Sequence, residues 1–313
     1  MIKHLLPEEI DHEKWDACIN ASFNGNAYAL SWYLNFAHPE WEALVEDDYN
    51  SVMPLPVSTK YGINYILQPF FIQQLGVFSK SNLYPEKIKD FINALPPKIK
   101  YLNYNFNIHN KLDVLGLDSR KNKNYMLDLV LDYRSLRSNY NDNTKRNVNK
   151  AHKNKLQLLK NIKPSELIKL FRENKGADIS TFNDEDYKNL ERIIYMSMHK
   201  GVGYIYGVYD AENQLCAAAF FLRHLNRLIF LFSGSNEIAR ENRAMFFLID
   251  SIIKNNSPSP MTLDFEGSND INLARFYKGF GSTEAFYDTL ILNRAGFPLK
   301  NILNTYFNKI KRH

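Results

Sequence analysis

The sequence predicts an α/β fold (α+β with mixed sheets) in two tandem domains. The chain has 313 residues, which is enough for two ordinary domains. The element order β-α-α-β-β-β-α-β-α-β can be read in the C-terminal half and, less clearly, in the N-terminal half. We therefore divide the chain into an N-terminal domain, 1–131, and a C-terminal domain, 132–313. We expect residues 294–313 to pack back on the first domain.

The C-terminal half gives the clearer pattern. Asn183 is expected to cap a helix, because acidic residues fill the next turn and apolar residues recur behind it at helical spacing. Three apolar runs separated by short polar turns follow and predict antiparallel strands. The expected strands are 155–162, 204–209, 215–223, 227–233, 261–266 and 286–292, and the expected helices begin near 165 and 183 and cover 245–253 and 270–280.

The N-terminal half repeats this order with weaker periodicity. Its expected strands are 2–6, 41–45, 51–57, 65–71, 101–106 and 125–131, and its expected helices are 15–21, 27–36 and 84–95. Residues 132–154 join the halves and are expected to be helical. The first half shows no glutamate–tyrosine arrangement like that of the second half. We therefore interpret the first half as a degenerate copy with a binding or scaffolding role.

Composition restricts the function classes. The formal net charge of +5 permits an anionic substrate but does not establish nucleic-acid binding. Cys18 and Cys216 have no second Cys or His at metal-ligand spacing, and the eight histidines fall singly, so neither a disulfide framework nor a metal site is expected. The N-terminus has no apolar stretch of a signal peptide, and no run reaches the ~20 apolar residues of a membrane span. We expect a cytoplasmic protein.

Three short motifs accompany the element order. They are Asn-Thr-Lys-Arg-Asn-Val-Asn-Lys-Ala-His-Lys at 143–153, Leu-Asp-Phe-Glu-Gly-Ser at 263–268, and Phe-Tyr-Lys-Gly-Phe-Gly at 276–281. The first resembles the segment that opens the second domain of FemAB proteins, and the second resembles the Asp-Phe-Gly strand end of that family. The third resembles the family's Phe-Lys-x-x-Phe-Gly and the Tyr-x-x-x-Gly pattern of GNAT acyltransferases. The sequence thus resembles tandem GNAT-like acyltransferases of the FemAB type over nearly its whole length.

This resemblance implies a function in transfer of an acyl group to an amine. GNAT enzymes use acyl-CoA, whereas FemAB proteins attach amino acids from aminoacyl-tRNA to a peptidoglycan precursor. Because the sequence shows no long helical-arm insertion of the kind found in several FemAB ligases, we favour an N-acyltransferase. Its co-substrate would be acyl-CoA or acetyl-CoA, and a small-molecule or peptide-like amine acceptor would lie in the inter-domain cleft. Two alternatives stay open: an aminoacyl-tRNA-dependent ligase for a cell-wall precursor, and a non-catalytic double-GNAT protein that binds an anionic ligand or partner.

Glu266 and Tyr277 are the candidate catalytic residues. Acyl transfer to an amine needs a base for the ammonium proton and a donor for the departing thiolate. Glu266 ends a strand of an open α/β sheet, where reactive groups meet a cleft. The resemblance places Tyr277 as the donor to the CoA sulfur. The alternatives are that Asp264, Glu266 and Ser268 cap the next helix, and that Tyr277 only packs on the apolar stripe of its helix.

The segment 233–244 is the candidate CoA site. There the resemblance implies a glycine-rich turn whose backbone N–H groups meet the pyrophosphate at a helix N-terminus. The candidate binding residues are Ser233, Gly234, Arg240, Arg243 and Ala244. Arg240 matches the first position of the Arg/Gln-x-x-Gly-x-Gly/Ala pattern, but Arg243 occupies the place of its first glycine. That side chain would either obstruct the pyrophosphate or supply a guanidinium to an anion.

Substrate-binding candidates come from both halves. Gln68, Gln73 and Gln74 follow a predicted strand and resemble the loop by which FemAB-type first domains line the cleft. They would bind substrate by hydrogen bonds, or else satisfy backbone groups of their own loop. Lys145 and Arg146 belong to the run 134–160, which has eight Lys/Arg residues and one Asp. Such a run is typical of a solvated helix face, or here of a basic rim for a phosphorylated substrate.

Overall fold

The computed structural model describes residues 1–178, 182–267 and 269–310, and the chain packs as two compact units. The first unit comprises Met1–Asn122 and Phe286–His313, and the second comprises Lys123–Ala285. These bounds differ from the domain boundary that the sequence predicts after residue 131. That domain boundary remains a prediction. The difference arises because two long strands contribute residues to both units, and apolar alternation cannot show where a strand changes unit. In the part of the chain that is described, no helix is long and apolar enough to cross a membrane.

The first unit contains two sets of strands. An antiparallel sheet has the order β1-β2-β3-β6, and a second set has the order β4-β5-β7-β14, where β14 (Thr283–Asn293) lies mostly in this unit. The single strand expected at 51–57 is wrong: Pro56, which has no N–H to donate to a ladder, separates β3 from β4. The elements are β1 (Ile2–Leu5), α1 (His12–Ala21), α2 (Ser31–Ala37), β2 (Glu42–Glu46), β3 (Ser51–Leu55), β4 (Val57–Lys60), β5 (Ile63–Leu67), β6 (Phe78–Ser79), α3 (Pro85–Asn93) and β7 (Ile99–Asn105).

The second unit is built on strands in the order β8-β13-β12-β11-β10-β9. Its elements are β8 (Ser119–Asp128), which begins in the first unit, α4 (Tyr133–Ser138), α5 (Asp142–Lys153), β9 (Gln157–Lys160), α6 (Pro164–Arg172), α7 (Asp184–His199), β10 (Gly203–Tyr209), β11 (Leu215–His224), β12 (Arg227–Ser235), α8 (Glu237–Asn242), α9 (Ala244–Asn255), β13 (Thr262–Asp264) and α10 (Ile271–Gly279). The last helix, α11 (Leu299–Ile310), belongs to the first unit. The predicted mixed α/β fold is confirmed.

Helix caps and core packing explain why these elements form. The Asn183 side chain accepts hydrogen bonds from the N–H groups of Glu185 and Asp186 at 2.8 and 3.1 Å, which confirms the predicted cap. The core of the second unit lies between its strands and the apolar faces of α5, α9 and α10. Phe265 and Tyr277 belong to that core. The two candidate catalytic segments are therefore attached to a packed scaffold.

Candidate active site

Two parallel strands of the second unit set the position of the candidate catalytic residues. β12 and β13 pair only from Arg227 opposite Thr262 to Ile229 opposite Asp264. β12 then continues through residues 230–235, whereas β13 ends at Asp264 and the following residues, Phe265 and Glu266, hydrogen-bond to Tyr125 of β8 on its other side. At ~3.3 Å per residue, this leaves roughly 20 Å of β12 with no β13 beside it. The pair therefore opens on the side where Glu266 follows β13.

Glu266 is held in an uncommon backbone conformation. Its φ is 56°, in the left-handed region, which is costly for a residue with a side chain. Its N–H donates to Asp264 Oδ1 at 2.9 Å, and its carbonyl accepts from the Tyr125 N–H at 3.0 Å. A Cβ on Gly267 would lie 1.7 Å from the Lys123 carbonyl oxygen, so the next residue must be glycine. Strained backbone of this kind is found preferentially at functional sites.

The capping alternative for this segment is not what the backbone shows. Asp270 caps α10, because its side chain accepts from the N–H groups of Asn272 and Leu273 at 2.8 and 3.0 Å. Asp264 instead accepts from the N–H of Glu266 within the turn. Ser268, the third member of the alternative, lies outside the described residues. Glu266 therefore does not occupy the N-cap position of α10.

Tyr277 lies on α10 inside an aromatic cluster. It is 8% exposed, and its ring stacks on Phe265 with centroids 5.0 Å apart. Burial raises the pKa of the phenol, and the nearby charges of Glu266 and Asp270 raise it further. The two candidates are therefore close enough to interact electrostatically. The phenol stays protonated at neutral pH, and the packing interpretation holds at the same time.

A buried network of polar groups lies where β12 and β13 pair, and of its members sequence reasoning named only Asp264, as an alternative cap of the next helix. Asp264 is 3% exposed; its Oδ1 accepts from Asn124 Nδ2 at 3.0 Å and its Oδ2 lies 3.5 Å from Arg227 Nη1. Burial raises the pKa of the Asp264 carboxyl, and Arg227 opposes this effect. His224 pairs with Arg227 across the β11–β12 hairpin, and burial together with the Arg227 charge lowers its pKa to about 4. The only sequence signal was a carboxylate in a short apolar strand.

Ser233 and Gly234 belong to β12, so the glycine-rich turn expected there is wrong. Gly234 pairs with Ala218, and a Cβ on it would lie 2.9 Å from the backbone nitrogen of Phe171. The glycine is therefore required by close packing against α6. Asn236 caps α8 through the N–H of Ala239 at 3.0 Å. Backbone geometry explains both Gly234 and Asn236 without a ligand, and the CoA-binding role of Ser233 and Gly234 stays a prediction.

Arg243 separates α8 from α9. Its φ is 62°, the left-handed conformation that glycine adopts most readily, so the backbone keeps what the glycine of the GNAT pattern would provide. Its Nη1 donates to the Arg240 carbonyl oxygen, whereas its Nε is buried and has no hydrogen-bond partner in the described part of the chain. Arg240 and Arg243 line a pocket of about 200 Å³ together with Phe246 and Phe276. Ala244 is the first residue of α9 and is fully buried.

The three glutamines of the first unit take part in hydrogen bonds to their own loop and its neighbours. Gln68 Oε1 accepts from the Asn105 N–H, and Gln74 Oε1 accepts from the Ile108 N–H, both at 3.0 Å. Asn105 Nδ2 donates to the Gln73 carbonyl at 2.9 Å. These bonds satisfy backbone groups after strands β5 and β7. A substrate-binding role for the glutamines remains a prediction.

Lys145 and Arg146 differ in their surroundings. Lys145 lines a pocket of about 430 Å³ on α4 and α5 together with Arg134 and Arg137, whereas Arg146 is exposed and does not line it. Lys145 Nζ donates to the Ser138 carbonyl at 2.8 Å. Among the described residues, none of the three lining cations is ion-paired with a carboxylate. The pocket is therefore suited to an anion.

A second buried carboxylate ties α4 and α5 to α9. Asp250 is 1% exposed and accepts from the Tyr133 hydroxyl at 2.9 Å and from the Tyr140 hydroxyl at 3.1 Å. His152 Nε2 lies 3.3 Å from its Oδ2. Burial and the Asp250 charge raise the pKa of both phenols. Sequence reasoning missed this network because its members lie in three separate segments.

Comparison with known proteins identifies the fold. No protein-family model matches the chain, and no curated protein matches its sequence. A solved structure of FemX has a TM-score of 0.67 at 13% identity, covering 96% of this chain and 99% of FemX. L-PGS from Bacillus licheniformis has a TM-score of 0.58 at 13% identity, covering 95% and 96% of the two chains. A tandem GNAT protein from the clavulanic acid biosynthesis pathway has a TM-score of 0.53 at 9% identity, covering 93% and 98%.

The chain has a tandem GNAT-like fold. The resemblance to FemAB-type GNAT proteins is confirmed at the level of the fold, which is what identities of 9–13% can show. In this tandem GNAT-like fold, the candidate catalytic and CoA-binding residues all belong to the second unit, while the glutamines belong to the first. The roles of these residues remain predictions.

Proposed function

We propose that this protein is an N-acyltransferase that moves an acyl group from acyl-CoA to a small or peptide-like amine, with its chemistry in the second unit. The opening of β12 from β13 beside Glu266 and Tyr277 carries the proposal. It offers a carboxylate, a protonated phenol and strand backbone at one place. The similarity to the tandem GNAT protein of the clavulanic acid pathway supports the same class of reaction.

In the proposed reaction, Glu266 accepts the ammonium proton of the acceptor, directly or through one water. The free amine attacks the thioester carbonyl, so a C–N bond forms while the C–S bond breaks, and the second proton of the amine nitrogen passes through water to the departing sulfur, which leaves as the CoA thiol. Backbone N–H groups of β12 beyond Ile229, on the side that β13 has left, would donate to the oxyanion. Tyr277 would donate a hydrogen bond to the departing thiolate. Because its pKa is raised, the Tyr277 phenol is suited to donate a hydrogen bond to the thiolate rather than to transfer its proton completely.

The residues around Arg243 fit a CoA phosphate. Arg240 and Arg243 would contact the pyrophosphate, and the N-terminus of α9 presents its positive end there. The buried Arg243 Nε offers a donor that has no partner in the described residues. Phe246 and Phe276 supply the apolar wall of the pocket. Ala244 is buried at the start of α9 and offers no side-chain donor.

A titration tests the CoA site directly. CoA should raise the melting temperature of the protein, since a ligand that binds only the native state stabilises it. The Arg240→Glu/Arg243→Glu variant should lose this shift and show no heat of binding by calorimetry. Arg223→Glu, at an exposed arginine of β11, is the matched control and should keep both. Equal CoA binding by wild type and the double variant would refute the assignment.

A second candidate is an aminoacyl-tRNA-dependent transferase. The pocket with Arg134, Arg137 and Lys145 favours it, because three cations without carboxylate partners suit an RNA backbone. Lys145 and Arg146 would then contact the donor. Filter binding of uncharged tRNA to wild type and to Arg134→Glu/Arg137→Glu distinguishes the candidates. Lys3→Glu/Lys89→Glu changes the net charge equally at exposed lysines of the first unit and serves as the control.

A further inference from the structure

The first unit carries a cluster of exposed apolar side chains where the β4–β5 hairpin meets α11. These two elements enclose a hollow of about 160 Å³ with an almost entirely apolar lining. Around it, Tyr61 is 91% exposed, Ile302 is 59% exposed and Tyr306 is 39% exposed. Phe297, which precedes α11, is 88% exposed. We call Tyr61, Ile302 and Tyr306, together with Lys60, the hairpin–helix surface.

The hairpin–helix surface stands on a rigid base. Phe307 of α11 is 2% exposed and stacks on Tyr101 of β7 with ring centroids 4.3 Å apart. It also packs on Tyr65 of β5 at 5.0 Å. One face of α11 is thus fixed to the strands while Ile302 and Tyr306 remain outside. Large apolar side chains that gather on a surface mark an interaction site.

Charge identifies the kind of partner. The hairpin segment 57–67 and the segment 294–313 contain no Asp or Glu, and their described cationic side chains are those of Lys60, Arg294 and Lys300, all of them exposed. Lys60 Nζ donates to the Tyr306 hydroxyl at 2.6 Å and lies 5.1 Å from the centre of that ring. This hydrogen bond raises the pKa of Lys60, so the ammonium is present at neutral pH. The surface is therefore apolar at its centre and positive at its edge.

We propose that the hairpin–helix surface docks the protein on an anionic membrane. Tyr61 and Ile302 would enter the boundary between head groups and acyl chains, and Lys60 and Lys300 would contact the head groups. A second copy of the chain is disfavoured as the occupant, because two such surfaces would bring like charges together. The proposal concerns where the protein lies, so it is independent of the proposed acyl transfer.

Vesicle co-sedimentation of the full chain tests the docking. The protein should bind vesicles of phosphatidylcholine mixed with phosphatidylglycerol at least about tenfold more tightly than pure phosphatidylcholine vesicles. High salt should weaken the binding, since ions screen head-group charge. Equal binding to both vesicle types, or no binding to either, would overturn the proposal.

Two pairs of variants assign the binding to this surface. Tyr61→Ser/Ile302→Ser removes exposed apolar groups and should weaken vesicle binding about tenfold or more. Its control is Tyr84→Ser/Val114→Ser, at a tyrosine and an aliphatic residue of the same unit that are 58% and 65% exposed. Lys60→Glu/Lys300→Glu should abolish the preference for anionic vesicles, whereas Lys80→Glu/Lys89→Glu should keep it. Equal loss in test and control variants would contradict the assignment.

A direct probe covers the case in which the serine variant folds poorly. Tryptophan fluorescence of Tyr61→Trp should shift to the blue on addition of anionic vesicles and not of neutral ones. Size-exclusion chromatography at rising protein concentration checks the competing occupant. Wild type that dimerises while Tyr61→Ser/Ile302→Ser stays monomeric would assign the surface to a second copy instead. CoA binding in solution involves no vesicle, so this outcome and a failure of the proposed function are separable.

Discussion

Within the described ranges, each compact unit has one pair of parallel strands, and the two pairs continue differently. β5 and β7 pair from Asn64 opposite Ile99 to Leu67 opposite Asn103, and Leu75 bridges to Phe106 beyond them. β12 and β13 pair over three positions and then part. The first pair is closed by the backbone and by amide side chains. Among the described residues, the second pair leaves strand backbone beside an ionisable residue and the first does not, so we expect the chemistry in the second unit and a supporting role for the first.

The two buried tyrosines beside these pairs make the same contrast. The Tyr104 hydroxyl donates to the Pro54 carbonyl at 2.8 Å and accepts from the Gly76 N–H at 3.0 Å. Both of its hydrogen-bonding functions are occupied by backbone. Burial alone raises the pKa of Tyr104, whereas the negative charge of Glu266 contributes to the raised pKa of Tyr277. A tyrosine used for structure and one placed beside a carboxylate therefore differ in their partners more than in their burial.

Removal of the ionisable groups at the open pair should have the largest effect. We expect Glu266→Gln and Tyr277→Phe each to lower kcat by about 10²-fold or more, because general acid–base catalysis contributes about 10²–10⁴-fold. The measurement is release of CoA thiol from acetyl-CoA with a panel of amines. Tyr125→Phe is the matched control: its ring lies 6.0 Å from Tyr277, but its hydroxyl bonds to Glu284.

This prediction has a clear failure. Folded Glu266 and Tyr277 variants that keep wild-type turnover would exclude both residues from the chemistry. The double-GNAT binding protein would then be the better description of the second unit, and the CoA titration would still report on its ligand site.

The next largest effect should come from a change in the turn that holds the backbone of Glu266 in its left-handed conformation. Gly267→Ala would place a Cβ 1.7 Å from the Lys123 carbonyl oxygen, so strand β8 or the turn must move. We expect a loss of about 2–4 kcal/mol in the free energy of unfolding, measured by urea denaturation. Gly296→Ala in the first unit is the control, since a Cβ there meets nothing within 4 Å. Equal stability of the two variants would show that the turn is not fixed as described.

A smaller effect should follow from opening the closed pair. Gln74 is 1% exposed, and Gln74→Leu leaves the Ile108 N–H without its acceptor. We expect a loss of about 1–3 kcal/mol in unfolding free energy with KM for the amine unchanged. Chemical denaturation and steady-state kinetics give the two quantities. A raised KM at full stability would instead support the substrate-binding hypothesis for these glutamines.

Sequence pattern predicted most elements because their apolar periodicity is local. Asn183 shows this well, since a cap and the first turn it serves are neighbours in the chain. Pattern failed where distant backbone decides. Gly234 reads as a turn in the sequence, but it is glycine because the backbone of Phe171 lies against it. Arg243 replaces a motif glycine and still adopts the left-handed backbone, which no residue preference would suggest.

The candidate site was predictable in part for the same reason. Glu266 and Tyr277 lie eleven positions apart in the numbering, so one turn and one helix bring them to the same region. The buried carboxylates were not predictable, because their partners come from remote segments. Asp264 meets Asn124 and Arg227, and Asp250 meets Tyr133 and His152. A carboxylate in an apolar element indicates such a network but cannot name its partners.

The smallest expected effect is a pH dependence at the paired end of β12 and β13. His224 has a folded-state pKa of about 4, against an ordinary value near 6.5, because burial and Arg227 disfavour its charged form. Between pH ~6.5 and about 4, His224 therefore binds a proton in the unfolded chain but not in the folded chain. The stability contribution of neutral His224 is present above pH ~6.5 and is lost as the pH falls toward 4. His224→Gln should remove this pH dependence, which amounts to about 1–2 kcal/mol between those limits once screening at the partly exposed ring is allowed for.

The raised pKa of Asp264 works in the opposite direction, but wild type and variant share it. The difference between their urea-derived stabilities at several pH values therefore isolates the contribution of His224. Parallel stability curves for the two proteins across this range would show that His224 titrates alike in the folded and unfolded chains.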